Sequence, residues 1–182
     1  MENEESQLIK NCIKGDRRSQ ELLYQQYAGQ MFAISLRYTK AQQEAEDVLQ
    51  ESFIKVFDQL KTFKGTSKLV FWIKKIVINT ALNTGRGKLY LYPMVDIDDL
   101  KESEGRDTQA ADYTMDELMF MIKKLPTSSQ VIFNLYAIEG YKHHEIAAML
   151  KISEGTSKSQ YSRARFLLRE EMKIKNTNYG RG

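Results

Sequence analysis

Cysteine, proline and glycine are scarce in this sequence, and their scarcity narrows the possible folds. The 182 residues include one cysteine, Cys12, so an intramolecular disulfide is impossible and the disulfide scaffolds of small secreted domains are excluded. Two prolines and ten glycines leave few positions for tight turns, which favours helices. No apolar run approaches the roughly 20 residues that span a bilayer, and the first residues, MENEESQ, are acidic, unlike a secretory signal. We therefore expect a cytoplasmic, all-α protein with no membrane insertion.

Charge is distributed unevenly along the chain. Residues 1–90 carry 14 basic and 10 acidic side chains, residues 91–117 carry 2 and 9, and residues 118–182 carry 11 and 5. The acidic stretch has almost no apolar periodicity, which is typical of a flexible linker. We therefore predict two small helical domains, 1–90 and 115–182, joined by an acidic linker at 91–114. The basic domains suggest polyanionic partners, although lysines that merely solvate helix faces would give the same pattern.

The first domain shows the apolar spacing of four helices. Gly15 is predicted to end the first helix, Asp16 to cap the second, and the fourth to run from Leu69 to Thr84. Around the loop TFKGTS at 62–67, aromatic side chains alternate with lysines, a composition that can stack on and neutralise unpaired nucleotides, although most such aromatics belong to the core. Asn79 and Asn83 lie four residues apart, so both could hydrogen-bond one extruded base.

The second domain contains a short helix, HEIAAML, a three-residue connection and a long basic helix that begins at Glu154. These are the elements of a helix-turn-helix, with Ser153 placed to cap the long helix. Before them, Thr127 and Gln130 have capping-box spacing for a helix through Ile138. The face of the long helix predicted to be exposed has donors and acceptors suited to base edges: Lys158, Ser159, Gln160, Ser162 and Arg163. The alternative is an ordinary surface helix rich in arginine.

Motifs of catalysis and metal binding are missing from the sequence. It contains no HExxH, CxxC, GxSxG or glycine-rich phosphate loop. His143 and His144 are adjacent, so on a helix they diverge by about 100° and are poorly placed to share a metal ion. We therefore expect no enzymatic activity and no cofactor.

Four stretches of this chain resemble the extracytoplasmic-function (ECF) group of sigma-70 family RNA polymerase sigma factors. They are AEDVLQESFIKVFDQLKTFKG and FWIKKIVINTALN in the first domain, and LPTSSQVIFNLYAIEGYKHHEIAAML and KISEGTSKSQYSRARFLL in the second. Together they cover nearly everything outside the acidic segment and the two ends. The resemblance implies region two in the first domain and region four in the second. It also implies a protein that binds core polymerase and directs promoter-specific transcription initiation.

The resemblance also implies a role for individual residues. Docking on the clamp helices of the largest polymerase subunit would fall to Asp47, Gln50, Glu51 and Phe53. Recognition and melting of the minus-ten element would fall to Phe63, Lys64, Ser67, Trp72, Lys75, Asn79 and Asn83. In the minus-thirty-five reader, Thr156 and Arg165 would hold phosphates beside the base-reading residues named above. The apolar face of the second domain would dock on the polymerase flap tip, and an anti-sigma factor is a further expected partner.

Two departures from the family pattern lead to structural expectations. Lys151 replaces a glycine of the turn, where a left-handed backbone would cost a lysine about 1 kcal/mol. Gly85 and Gly87 follow Asn83 where arginines are usual, so the fourth helix is expected to fray early. Two other functions remain open: a helix-turn-helix regulator that binds duplex operators without polymerase, and a helical interaction protein such as a sigma antagonist.

Overall fold

Helices form both compact parts of the protein. The computed structural model describes residues 2–90 and 113–179, and every regular element within these ranges is helical, which confirms the predicted all-α fold. The chain divides into two compact units, Met1–Arg86 and Gly87–Gly182, named unit 1 and unit 2 here. The expected linker at 91–114 lies outside the described residues, except for Tyr113 and Thr114 at its end.

Unit 1 is a helical bundle, and its first helix ends where the sequence predicts. Its helices are α1 (Glu2–Ile13), α2 (Arg17–Tyr38), α3 (Gln42–Gln59) and α4 (Leu69–Tyr90), of which α4 belongs to unit 1 as far as Arg86, and a 3-10 turn, Leu60–Thr62, follows α3. Gly15 ends α1 with a φ of 82°, a conformation that glycine adopts without strain. A carboxylate oxygen of Asp16 accepts a hydrogen bond from the Ser19 amide at 2.9 Å, which confirms the predicted cap of α2.

The core of unit 1 follows the helical spacing of its apolar residues. Its fully buried side chains include Leu23, Met31, Val56, Leu69, Ile73 and Ile78. Cys12 is buried as well, as expected of a small hydrophobic side chain. The α3 and α4 helices are linked by Lys55, whose Nζ donates to the Thr80 hydroxyl at 3.3 Å.

The predicted early end of α4 is wrong. The helix continues past Thr84, through Gly85 and Gly87, and ends at Tyr90. Each glycine lowers helix propensity by about 1 kcal/mol relative to alanine, but glycine still adopts helical dihedrals. Arginine, lysine and leucine between and after the glycines are strong helix formers, which offsets the loss.

Unit 2 contains the predicted helix-turn-helix. Its elements are α5 (Met115–Lys124), α6 (Thr127–Phe133), a π-helical turn (Asn134–Ile138), α7 (His143–Leu150) and α8 (Glu154–Tyr179). Four apolar residues of α6, the π-helical turn and α7 are buried, namely Val131, Leu135, Ile146 and Leu150. Further along α8, Ala164 and Leu168 cluster with Met121, Ile122 and Leu125 of the α5 segment. The long helix is therefore held by apolar contacts along much of its length.

The capping box expected at Thr127 is wrong. Pro126 occupies the cap position of α6 without a capping side chain, so Thr127 is the first residue of the helix and not its cap, and Gln130 is buried. A capping box does occur one helix earlier: the Thr114 hydroxyl accepts from the Glu117 amide at 3.3 Å, and the Glu117 carboxylate accepts from the Thr114 amide at 3.0 Å.

The turn between α7 and α8 has the backbone conformation that the sequence suggested. Lys151 has φ 55° and ψ 48°, and it is the single non-glycine residue with positive φ among those described. This is the left-handed conformation that normally ends a helix at glycine. The turn therefore stores strain that a glycine would not.

Candidate nucleic-acid and polymerase interfaces

The α8 helix has one buried face and one polar outer face. Thr156, Ser157, Gln160, Ala164 and Leu168 are buried. At 100° per residue, three side chains between Glu154 and Arg165 lie within about 40° of the direction opposite Gln160: Lys158, Ser162 and Arg165. Lys158 and Arg165 are exposed and Ser162 is half-buried. The outer face of α8, defined here by these three residues, therefore combines two cations with a hydroxyl.

The other residues predicted to read bases lie away from the centre of this face. Ser159 and Arg163 are half-buried and lie about 80° and 120° from the centre of the outer face. Ser159 donates its hydroxyl hydrogen to the Thr156 carbonyl, at 3.1 Å. A guanidinium on a long side chain can still reach out from such a position, whereas a serine hydroxyl cannot reach as far.

The expected exposure of Gln160 is wrong. Its side chain is only 2% exposed, and its Oε1 accepts hydrogen bonds from the hydroxyls of Ser128 at 3.1 Å and Ser129 at 2.8 Å. Both serines lie in the first turn of α6 and are themselves buried. Gln160 therefore joins α8 to α6 and is not part of the exposed face of α8.

Thr156 is likewise turned inward, although the resemblance implied that it would hold a phosphate. It is buried, and its hydroxyl lies 2.8 Å from that of Ser153. Ser153 Oγ also accepts from the Thr156 amide at 2.9 Å, so the predicted cap of α8 is confirmed. The amides at the start of α8 remain the part of this helix best suited to a phosphate.

An aromatic cluster joins α8 to the elements before it. His143, at the start of α7, stacks on Tyr136 with ring centroids 4.3 Å apart, and Tyr136 lies 4.5 Å from Tyr161 of α8. The Nδ1 of His143 lies 2.9 Å from the buried hydroxyl of Ser157. Burial lowers the pKa of His143 and the charge of Lys158 lowers it further, against a smaller opposing effect of Glu154, so the environment favours the neutral ring.

A second polar face lies on α4. Trp72, Lys75, Asn79 and Asn83 follow one another at spacings of three and four residues, so they share one side of the helix. The last three are exposed, and Trp72 is half-buried. These four residues are called the α4 face below.

The loop before α4 borders this face. Phe63 packs against Trp72 with ring centroids 5.5 Å apart, and Lys64 and Ser67 are exposed. Gly65 has a φ of 69°, which turns the chain between them. The predicted minus-ten residues are thus brought together: aromatic rings at the loop, then a cation and two amides along the helix.

The predicted polymerase-docking residues separate into three surface residues and one core residue. Asp47, Gln50 and Glu51 are exposed on α3, where Glu51 pairs with Lys55 at 2.6 Å. Phe53 is 3% exposed and packs edge-on to Tyr24, with ring centroids 4.7 Å apart. The structure therefore contradicts the expected place of Phe53 on the docking surface, because α3 turns it towards the core.

Sequence reasoning missed the polar contacts inside unit 2. Ser128, Ser129 and Ser157 were given no role, and His143 was considered only as a metal ligand. A signal for the buried face did exist, because Thr156, Gln160, Ala164 and Leu168 recur every four residues, as one side of a helix does. The pattern was obscured because two of those four side chains are polar.

Neither metal chemistry nor membrane insertion has structural support in the described ranges. Among residues 2–90 and 113–179, no three His, Cys, Asp or Glu side chains are grouped so that they could hold a metal ion. No helix in the same ranges is both long and apolar enough to cross a bilayer.

Comparison with known proteins matches the two units to two regions of one protein family. Residues 23–88 match the family described as Sigma-70 region 2, and residues 115–168 match Sigma-70, region 4. The RNA polymerase sigma-H factor of Pseudomonas aeruginosa is 31% identical over 176 residues, which cover 90% of this chain and 91% of that protein. The ECF RNA polymerase sigma-E factor of Salmonella typhimurium is 29% identical over 170 residues, covering 87% and 88% of the two chains.

A solved structure shows the same fold. The sigma factor RpoE of Bartonella quintana, determined in complex with the anti-sigma factor NepR, has a TM-score of 0.53 and 20% identity to this chain. The alignment covers 85% of this chain and 96% of the solved one. With both family regions in order and a relative above 30% identity along nearly its whole length, the chain belongs to the sigma-70 family of RNA polymerase sigma factors, in its extracytoplasmic-function group.

Proposed function

We propose that this protein binds core RNA polymerase and directs it to promoters by reading a minus-ten element with unit 1 and a minus-thirty-five element with unit 2. The observation that carries the proposal is the pair of exposed polar faces, on α4 and α8, each within the matching family region. The proposed regions are residues 1–90 for region two and 115–182 for region four. Between them, 91–114 would act as a tether.

Unit 1 offers the chemistry needed to hold a melted strand. Phe63 and Trp72 present aromatic surface on which an unpaired base could stack, and Lys64 and Lys75 would neutralise the backbone. The exposed amides of Asn79 and Asn83 can each donate and accept, which suits the edge of a flipped base. Ser67 adds a hydroxyl at the loop.

Unit 2 offers the chemistry needed to read duplex DNA. The outer face of α8 would enter the major groove, with Lys158, Ser162 and the long side chain of Arg163 directed at base edges. Arg165 is exposed beside the Tyr161 ring, with its guanidinium carbon 5.9 Å from the ring centroid, and would hold a phosphate. Lys158 pairs with Glu154 at 2.8 Å, an exposed ion pair that DNA could replace at little cost.

Binding to polymerase explains how two small readers suffice. Once one unit is held on the enzyme, binding of the other becomes intramolecular, and avidity can exceed either separate affinity by about 100-fold or more. The exposed polar residues of α3, Asp47, Gln50 and Glu51, would contact the clamp helices, and the apolar face of unit 2 would contact the flap tip. Unpairing a base costs a few kcal/mol, which stacking on the loop aromatics would offset.

The remaining proposals concern partners, location and chemistry. An anti-sigma factor is an expected partner, and the Bartonella relative was solved with one. The protein would work in the cytoplasm, where polymerase acts, and would need no cofactor. Catalysis of RNA synthesis would reside entirely in the core enzyme.

The proposal is tested by transcription with purified core polymerase on a library of genomic promoter fragments, with and without this protein. We expect new transcripts that share two spaced upstream elements. A matched reaction uses the Asn79→Ala variant, which should lose transcripts selectively at the downstream element.

The competing function has a distinct outcome. A stand-alone regulator would bind duplex DNA tightly and selectively without polymerase, and a dimeric one would favour two-fold symmetric sites. Selective binding in that assay, together with no new transcripts in the first, would overturn the sigma-factor proposal.

A further inference from the structure

We infer that Gln160 is a positioning residue for promoter recognition: held by Ser128 and Ser129, it fixes the rotation of α8 about its own axis and thereby sets which base edges the outer face of α8 can reach. The inference rests on the function proposed above for α8. By this inference, Gln160 influences sequence specificity although its side chain is buried.

The hydrogen bonds between Gln160 and the two serines favour one orientation of α8 as well as stabilising it. Both hydroxyls donate to the same Oε1 atom, at 3.1 and 2.8 Å, from neighbouring positions in the first turn of α6. All three residues are buried, so water cannot replace either bond. Hydrogen bonds weaken steeply when their angle changes, whereas apolar contact has no preferred direction. The pair of bonds therefore favours one rotation of α8 over its neighbours.

Rotation matters because the reading groups lie far from the helix axis. Side-chain tips stand about 6 Å from the axis of an α-helix, so a turn of 20° displaces them by about 2 Å. That shift separates a donor from a base-edge acceptor, which must lie within about 3 Å. Contacts to phosphates tolerate such a shift better, because long flexible cations can follow them. Loss of the network should therefore reduce sequence discrimination more than it reduces overall DNA affinity.

The test replaces the network with apolar groups of similar size. In the full-length triple variant Ser128→Ala, Ser129→Ala, Gln160→Met, no polar group of the network remains buried without a partner. Holoenzyme carrying each variant is assayed on promoters with a fixed minus-ten element and a randomised minus-thirty-five element. We expect the triple variant to keep its helix content and its low-salt affinity for non-specific DNA, while selectivity between preferred and single-mismatch elements falls about tenfold.

Two control variants separate positioning from simple loss of stability. Ser52→Ala removes a buried hydroxyl in unit 1 that donates only within its own helix, to the Val48 carbonyl at 2.6 Å. Ile122→Val weakens the apolar cluster of unit 2 without touching the network. Both should leave the base preference unchanged, and a loss of selectivity in Ile122→Val equal to that of the triple variant would show that stability alone is responsible.

Every outcome is decisive for one of the two proposals. If parent holoenzyme shows no preference in the randomised element, the proposed function of α8 fails. If the parent is selective and a folded triple variant is equally selective, the positioning role is overturned. Should the triple variant not fold, Ser129→Ala decides alone: it removes one hydroxyl and keeps the Ser128 bond. We expect it to lose about threefold in selectivity, and unchanged selectivity would contradict the inference.

Discussion

The imidazole Nδ1 of His143 and the buried hydroxyl of Ser157 lie 2.9 Å apart, joining the first and second helices of the helix-turn-helix. Lys158 stands near this ring, and its charge adds to the effect of burial in lowering the pKa of His143. The two helices are thus joined by a titratable group whose pKa lies below its ordinary value.

This contact makes the stability of unit 2 depend on pH. Because the folded pKa of His143 lies below its ordinary value of 6.5, the unfolded chain takes up the proton first as pH falls. The stabilising contribution is complete above about pH 6.5 and is lost progressively below it. We expect urea unfolding, followed by circular dichroism, to give a lower free energy of unfolding at pH 5.5 than at pH 7.5. The His143→Gln variant should show a smaller difference, and an equal one would contradict this cause.

The cap of α8 should contribute measurably to stability. Ser153→Ala removes the oxygen that accepts from the Thr156 amide, and loss of such a cap costs about 1 kcal/mol. Ser153→Asp keeps an acceptor at the same position and adds a negative charge beside the helix start, so it should be at least as stable as the parent. Chemical denaturation of the three proteins checks both expectations, and equal stability of Ser153→Ala and parent would show that the cap is not needed.

The left-handed turn at Lys151 should be improved by glycine. Lys151→Gly is expected to raise the free energy of unfolding by about 1 kcal/mol, because glycine adopts φ 55° without a Cβ clash. Lys151→Ala removes the same charge and retains the Cβ, so it should bring no gain. A gain in both variants would assign the effect to charge instead of backbone strain.

The α4 face should affect only the downstream promoter element. Asn79→Ala removes an exposed amide from this face and disturbs no buried group, so stability should stay within about 0.5 kcal/mol of the parent. Open-complex formation, measured by permanganate reactivity of unpaired thymines, should fall on promoters with an intact minus-ten element. Gln25→Ala, an exposed amide on α2, is the matched control. Undiminished strand opening in Asn79→Ala would count against a reading role for α4.

Arg163 and Arg165 of α8 should behave differently. Arg163→Ala is expected to reduce initiation in a sequence-dependent manner. The free energy of binding should weaken by about 1–3 kcal/mol on elements that carry the base read by Arg163. Arg165→Ala should weaken DNA binding evenly across sequences and lower the salt dependence by about one ion, as loss of a phosphate contact does. Binding titrations at several salt concentrations on matched and mismatched elements separate the two effects. An equal loss of binding on all sequences for Arg163→Ala would show that Arg163 contacts only phosphates.

The fold was largely predictable because its signals are local. Apolar spacing, Gly15, Asp16 and Ser153 mark helix faces and ends within a few residues, and the structure confirms each of them. The strained turn at Lys151 could be expected only through comparison with a family pattern, since the residue itself favours no such backbone.

Whether an individual side chain is buried or exposed was harder to predict. Gln160 and Thr156 have the side chains of DNA-binding residues, yet the structure turns them inward, because serines on α6 and Ser153 supply hydrogen-bond partners there. Phe53 was assigned by its place in a family motif, whereas helix rotation buries it. The partners that allow Gln160 to be buried, Ser128 and Ser129, are distant in sequence, and local spacing carries no information about them.

The packing of Phe63 on Trp72 gives the protein a built-in optical probe. Trp72 is the single tryptophan of the chain, so the indole emission of the isolated protein reports on one place, beside the loop at the start of α4. A nucleobase that stacked there would come within a few ångströms of the indole and quench its light. Capture of a single strand could therefore be followed in real time, in the unlabelled protein, by the brightness of one side chain.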